Sequence, residues 1–127
     1  MASFGEVTGV TQRAAADLRT KQYYMLRNTA SGLVNTSSHA AGAATTLIGV
    51  LQNKPNSGQA ANVGMFGESK VVAAGTVAVN VWLTTDDSGK ATAAVSGDNV
   101  IGYAMEAAST GETFRAFISA VRPLLRT

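Results

Sequence analysis

Leu47-Ile48-Gly49-Val50-Leu51 and Val100-Ile101-Gly102-Tyr103-Ala104 say nearly the same thing twice. Each is followed at one constant distance by a turn, Ser57-Gly58-Gln59 in the first case and Thr110-Gly111-Glu112 in the second. A single offset therefore carries Ile48 to Ile101, Gly49 to Gly102 and Gly58 to Gly111, the mark of one structural unit used twice. A slightly larger offset extends the echo upstream, setting Thr29-Ala30-Ser31-Gly32 against Asp86-Asp87-Ser88-Gly89 and Tyr23-Tyr24-Met25-Leu26 against Asn80-Val81-Trp82-Leu83. The two offsets differ because the first copy carries a short polar insertion over residues 36–42, and insertions of this kind fall in surface loops. Each copy reads strand, Ser-Gly turn, strand, Gly turn, strand, a small β-meander.

The hydrophobic pattern after Lys21 has a period of two. Val77, Val79, Val81 and Leu83 alternate with Ala78, Asn80 and Trp82, which predicts a strand with the aliphatic residues on one face and Trp82 on the other. Phe114, Ala116, Ile118 and Ala120 alternate with Arg115, Phe117 and Ser119 in the same way. Gly paired with Ser, Asp, Asn or Thr punctuates the chain at Gly32, Gly58, Gly89, Gly97 and Gly111, as turns require. Gly49 and Gly102 lie inside apolar strands, where glycine marks a bend or a close backbone approach, and their equivalence predicts a paired structural role. The expected fold is all-β, a small barrel or sandwich built from two similar meander units over about residues 21–67 and 75–120. Residues 1–20 read as an extended N-terminal arm in which Thr11 caps a short helix over residues 11–19, ordered against another chain. Residues 121–127 form a tail with Leu124 and Leu125 after Pro123.

At 127 residues there is room for one compact domain. Aromatic residues make up 6% and much of the apolar content is Ala and Val, so the core is expected to be thin and association to contribute to stability. Without cysteine, no disulfide framework, thiolate metal site or thiol nucleophile exists. The net charge of +2 comes from scattered basic residues, which argues against a dedicated nucleic-acid binder. No apolar run approaches the roughly 18 residues of a membrane-spanning helix, and Met1 to Gly9 lacks the features of a secretory signal, so synthesis in a cytoplasm is expected.

A search for catalytic chemistry returns structural readings. His39, the sole histidine, sits among Ser and Ala with no nucleophile elbow to serve. Asp86 and Asp87 fit a hairpin turn better than a calcium loop, and Gly64-Met65-Phe66-Gly67 matches neither a dinucleotide fingerprint nor a P-loop and reads as a strand with a turn. No enzyme, cofactor or metal is expected. Trp82, opposite the aliphatic face of its strand, reads either as buried in a second face or as the anchor of a subunit interface, where Trp is enriched. The candidate contacts with another subunit or with a larger assembly are Phe4, Val7, Val10, Trp82, Leu124 and Leu125.

An ordered series runs through Ile48-Gly49-Val50-Leu51-Gln52-Asn53-Lys54-Pro55, Gly58-Gln59-Ala60-Ala61-Asn62-Val63, Gly67-Glu68-Ser69-Lys70-Val71-Val72-Ala73-Ala74-Gly75, Gly102-Tyr103-Ala104-Met105-Glu106-Ala107-Ala108 and Thr110-Gly111-Glu112. In content and order it resembles the capsid cement, or head decoration, proteins of tailed bacteriophages, over roughly residues 17–118. The resemblance implies a small β protein, a homotrimer or other homo-oligomer, that binds the major capsid protein on the outer surface of the expanded capsid and stabilises the virion. It implies no catalytic residues, no direct contact with nucleic acid and no membrane. The arm before Asp17 and the loop over residues 36–44 fall outside the match. Against this stands a second class, a virion-displayed module binding carbohydrate or a host surface, with Trp82, Tyr23, Tyr24 and Tyr103 as an aromatic platform. A small hydrolase would need a reactive centre that the chain does not display.

Overall fold

The computed structural model describes residues 7–29, 31–37, 39–40, 43–44, 47–95, 98–119 and 124–125. Within them lie thirteen strands and no helix. They are β1 (Val7–Arg13), β2 (Met25–Asn28), β3 (Val34–Thr36), β4 (His39–Ala40), β5 (Ala43–Ala44), β6 (Gly49–Leu51) and β7 (Ala60–Val72). The second half of the chain adds β8 (Trp82–Thr85), β9 (Ala91–Ala93), β10 (Asn99–Val100), β11 (Gly102–Ala104), β12 (Thr113–Ser119) and β13 (Leu124–Leu125). Nine of them make one antiparallel sheet in the order β3-β2-β6-β7-β12-β11-β8-β9, with β1 laid along β7, and the sheet curls into a half-barrel. β4 pairs with β5 inside the loop inserted in the first copy, and β10 with β13.

The repeat read in the sequence is reproduced hydrogen bond by hydrogen bond. The Tyr23 amide donates to the Leu51 carbonyl and Asn80 to Ala104; Ile48 donates to Leu26 and Ile101 to Leu83. The turns are built alike, with Gly32 and Gly89 at φ 81° and 92° and Gly58 and Gly111 both at 82°, a region closed to most side chains. Side chains repeat as well: Gln59 Oε1 accepts the Asn56 amide at 2.8 Å, and Glu112 Oε1 accepts the Ser109 amide at 2.7 Å.

The correspondence starts earlier than the sequence suggests. Ala14 donates to the Gln59 carbonyl and accepts from Gly58, as Ala73 does with Glu112 and Gly111. Parallel bridges then join Ala14 to Val34 and Ala73 to Ala91, closing the first strand of each copy onto its third. The first strand of copy one is β1, and that of copy two is the second half of β7. One strand therefore finishes the first copy and begins the second.

A bulge makes this sharing possible. The register of β1 on β7 slips between Thr8 and Gly9, which face Phe66 and Gly64 and leave Met65 as the extra residue. A one-residue slip exchanges the faces of a strand. Ala61 and Val63, before the slip, bury themselves in one core; Val71, after it, enters the other. Met65 packs against both. The Gly64-Met65-Phe66-Gly67 stretch, expected to contain a turn, is this bulge within a continuous strand.

The two cores are matched but filled differently. Copy one encloses Leu18, Leu26, Val34, Leu51 and Val63, all large aliphatics. At the equivalent positions copy two has Val77, Leu83, Ala91, Ala104 and Ala116, and the volume lost to alanine is taken up by Met25, Leu47 and Val50 reaching in from the outer face of copy one. The halves are locked together because the outside of the first fills the inside of the second.

Two expectations are corrected. Residues 11–13 are strand, not helix, and β1 is ordered against β7 of its own chain; the exposed residues of an edge strand carry no buried alternation, so the sequence signal for β was absent. Nor do residues 77–83 form one strand. Asn80 takes φ 72°, as Tyr23 does in copy one, and this left-handed residue ends the alternation so that β8 begins at Trp82.

Candidate interaction surface

On the outer face of copy two, four aromatic side chains from four adjacent strands form a continuous row. Register sets them there. Tyr103 of β11 lies opposite Trp82 of β8 on one side and Phe117 of β12 on the other, and Phe66 of β7 lies opposite Ser119. Each alternates with a buried neighbour: Leu83 follows Trp82, Ala104 follows Tyr103, and Ile118 follows Phe117. The rings touch in order, with Trp82 edge-on to Tyr103 at 6.1 Å, Tyr103 stacked on Phe117 at 5.9 Å, and Phe117 edge-on to Phe66 at 5.4 Å. Such geometries are the favoured ones for aromatic pairs. Trp82 remains 45% exposed and Phe66 48%. A groove of about 190 Å³ runs beside the row, lined by Trp82, Val100, Gly102, Tyr103 and Phe117.

The rim is charged, with Arg115 and Lys70 opposite each other on β12 and β7 and two glutamates beside Arg115. Arg115 lies 3.4 Å from Glu68 and 3.5 Å from Glu106, and its amide donates to Glu106 at 2.9 Å. Elsewhere, exposed Asp17 accepts from Arg19 Nε and Nη2 at 2.9 Å each and from its amide at 3.1 Å. The side-chain hydrogen bonds from Arg19 lead in holding the Asp17 carboxyl down at about 2, against an ordinary 3.8. Because the folded value is the lower one, whatever this pair adds to stability is present above about pH 4 and lost as the pH falls towards 2. Solvent screening keeps that contribution small. Replacing Arg19 by Ala should return the Asp17 titration, followed by NMR, to the ordinary carboxylate range.

Among the described residues the candidate contacts fall in two places, on β1 and around the groove beside Trp82. Trp82 joins the row. Val7 is partly buried against the larger core, and Val10 is 46% exposed on β1, with β7, β12 and β11 between it and Trp82. Leu124 and Leu125 form β13, opposite Val100 and Asn99. Phe4 lies outside the described residues. Of the proposed aromatic platform only Trp82 and Tyr103 meet, while Tyr24 and Tyr23 sit beneath the ammonium groups of Lys21 and Lys70 at 5.0 and 5.9 Å. The row includes two residues the sequence reading left out, Phe66 and Phe117; the signal for Phe117 was its place between buried Ala116 and Ile118.

Among the described residues no cluster of three or more His, Cys, Asp or Glu side chains is arranged to hold a metal. The Asp86 carboxylate accepts the amides of Ser88 and Lys90 at 2.9 and 2.8 Å, as a hairpin turn requires.

Comparison with known proteins bears on this surface through the fold. No protein-family model and no curated protein matches the chain. Among solved structures, the chain is similar to the N base of head fiber gp8.5 in bacteriophage phi29, with a TM-score of 0.64 and 23% sequence identity over 91% of this chain and 96% of that one. The two proteins share a fold from near one end to the other.

Proposed function

We propose that the chain is a structural virion protein that binds the outer surface of an expanded phage capsid as a homo-oligomer, a homotrimer by the sequence resemblance, and stabilises the shell. The observation that carries this reading is the fold shared with the phi29 head fiber base across almost the whole of both chains. The ordered sequence resemblance to head decoration proteins supports it independently. So does the surface chemistry: an exposed aromatic row is suited to burying area against protein rather than to transforming a substrate. Each contact with the major capsid protein is free to be weak, because many copies on one shell act together, and a ligand that binds only the expanded state stabilises that state.

The test is sedimentation of the purified chain with heads of the phage that encodes it, before and after expansion. Saturable binding at a fixed ratio to expanded heads, none to precursor shells, and a higher temperature of DNA release from decorated heads are expected. Failure to bind expanded heads would overturn the proposal.

A further inference from the structure

The groove beside the aromatic row has an internal counterpart. Under the repeat, Trp82, Val100 and Tyr103 correspond to Met25, Leu47 and Val50. In copy one these three residues are fully buried, at 0% exposure, because copy two lies over them. In copy two Val100 is buried at 5%, opposite Leu124 of β13, but Trp82 and Tyr103 line an open groove and Trp82 is nearly half exposed. The fold thus buries this face in copy one, against the inner face of copy two.

We infer that the Trp82–Tyr103–Phe117–Phe66 row is the self-association surface of the protein, covered by a second copy of this chain. The burial of the equivalent face in copy one is the first argument; because both inner faces of a second chain are already filled, the rows themselves must meet. Charge is the second. Arg115 and Lys70, opposite each other on β12 and β7, carry two positive charges against the two negative ones of Glu68 and Glu106, so the rim has no net charge that would select an oppositely charged partner, and such a patch is self-compatible. Area is the third. Aromatic side chains offer about 150–250 Å² each, so the row exposes roughly 300 Å² of apolar surface, enough for the core of an interface burying about 800 Å² per partner. Setting the rows around one symmetry axis covers every copy at once. This deepens the self-association part of the proposed function, and its test needs no capsid, so the two stand or fall separately.

Trp82 is the sole tryptophan, so its fluorescence reports on the row alone. The full chain should scatter light as a multiple of 13.0 kDa, with Trp82 emission shifted to the blue and several-fold less quenched by iodide than a free indole. Dilution through the dissociation range should move mass and emission together. Tyr103→Glu and Phe117→Glu should each give a monomer with red-shifted, readily quenched emission and an unchanged far-ultraviolet circular dichroism spectrum. Val95→Glu, at an exposed apolar site outside the row, should leave the mass unchanged. Should a row variant fail to fold, the wild-type dilution series decides by itself. A monomer at all concentrations, or an oligomer whose Trp82 stays open to iodide, would overturn the assignment. A monomer whose Trp82 becomes protected only on expanded heads would overturn it too, and assign the row to the shell.

Discussion

Gly102→Ala is expected to lower the unfolding midpoint of the chain by roughly 12 °C, corresponding to about 3 kcal/mol of lost stability. A Cβ at Gly102 would sit 1.8 Å from the Phe117 carbonyl oxygen and 2.8 Å from its carbon. Those atoms belong to the backbone of β12, so no rotamer change relieves the clash; β11 must move away from β12, and Gly102↔Ile118 is one of only three register pairs joining them. The repeat supplies a second instance. A Cβ at Gly49 would lie 2.3 Å from the carbonyl oxygen of Gly64, which corresponds to Phe117. Gly49→Ala should therefore be similarly damaging. Gly111→Ala is the control, because nothing lies within 4 Å of its Cβ and only the positive φ of 82° opposes the substitution, for about 1 kcal/mol. Thermal and denaturant unfolding of the three variants would check the ranking; an Ala at Gly102 costing no more than one at Gly111 would contradict the close-approach account.

Met25→Ala should cost about 3 kcal/mol, through lost burial and the cavity left behind. Met25 is fully buried among Ala91, Ala104 and Ala116, small residues that cannot move inwards to fill the space. The expected rescue is specific. Copy one has Leu51 where copy two has Ala104, so Ala104→Leu in the Met25→Ala background returns volume to the depleted core and should recover part of the loss. In the wild-type background the same Ala104→Leu change overpacks the site and destabilises by about 1–3 kcal/mol. An additive double mutant, as destabilised as the two singles together, would show that the two positions do not share a cavity.

Much of this architecture was legible beforehand because its signals are local. The turn glycines, the equivalence of Gly49 with Gly102 and the placing of Trp82 on the face opposite Leu83 follow from residue type and a period of two. The features that were missed depend on long-range partners. β1 has exposed polar positions along an edge, and only the neighbouring β7 makes it a strand. Asn80 interrupts a sound alternation because its amide is committed to the carbonyl of Ala104, distant in sequence. The aromatic row is a product of register: Phe66 reaches Phe117 only through the way β7 lies against β12. The reading of Trp82 as an anchor named one ring of four.

The strand that serves both copies also fixes how the molecule comes apart. Residues 60–64 hold the first core and residues 67–72 the second, with Met65 in each, so neither half has a complete set of strands when the other melts. Cutting the chain between the repeats would strand the second without its opening strand and without Met25, Leu47 and Val50. The two copies are thereby inseparable: neither half of the chain makes a complete module, and heat or denaturant meets one cooperative body with a single transition in place of two tandem ones.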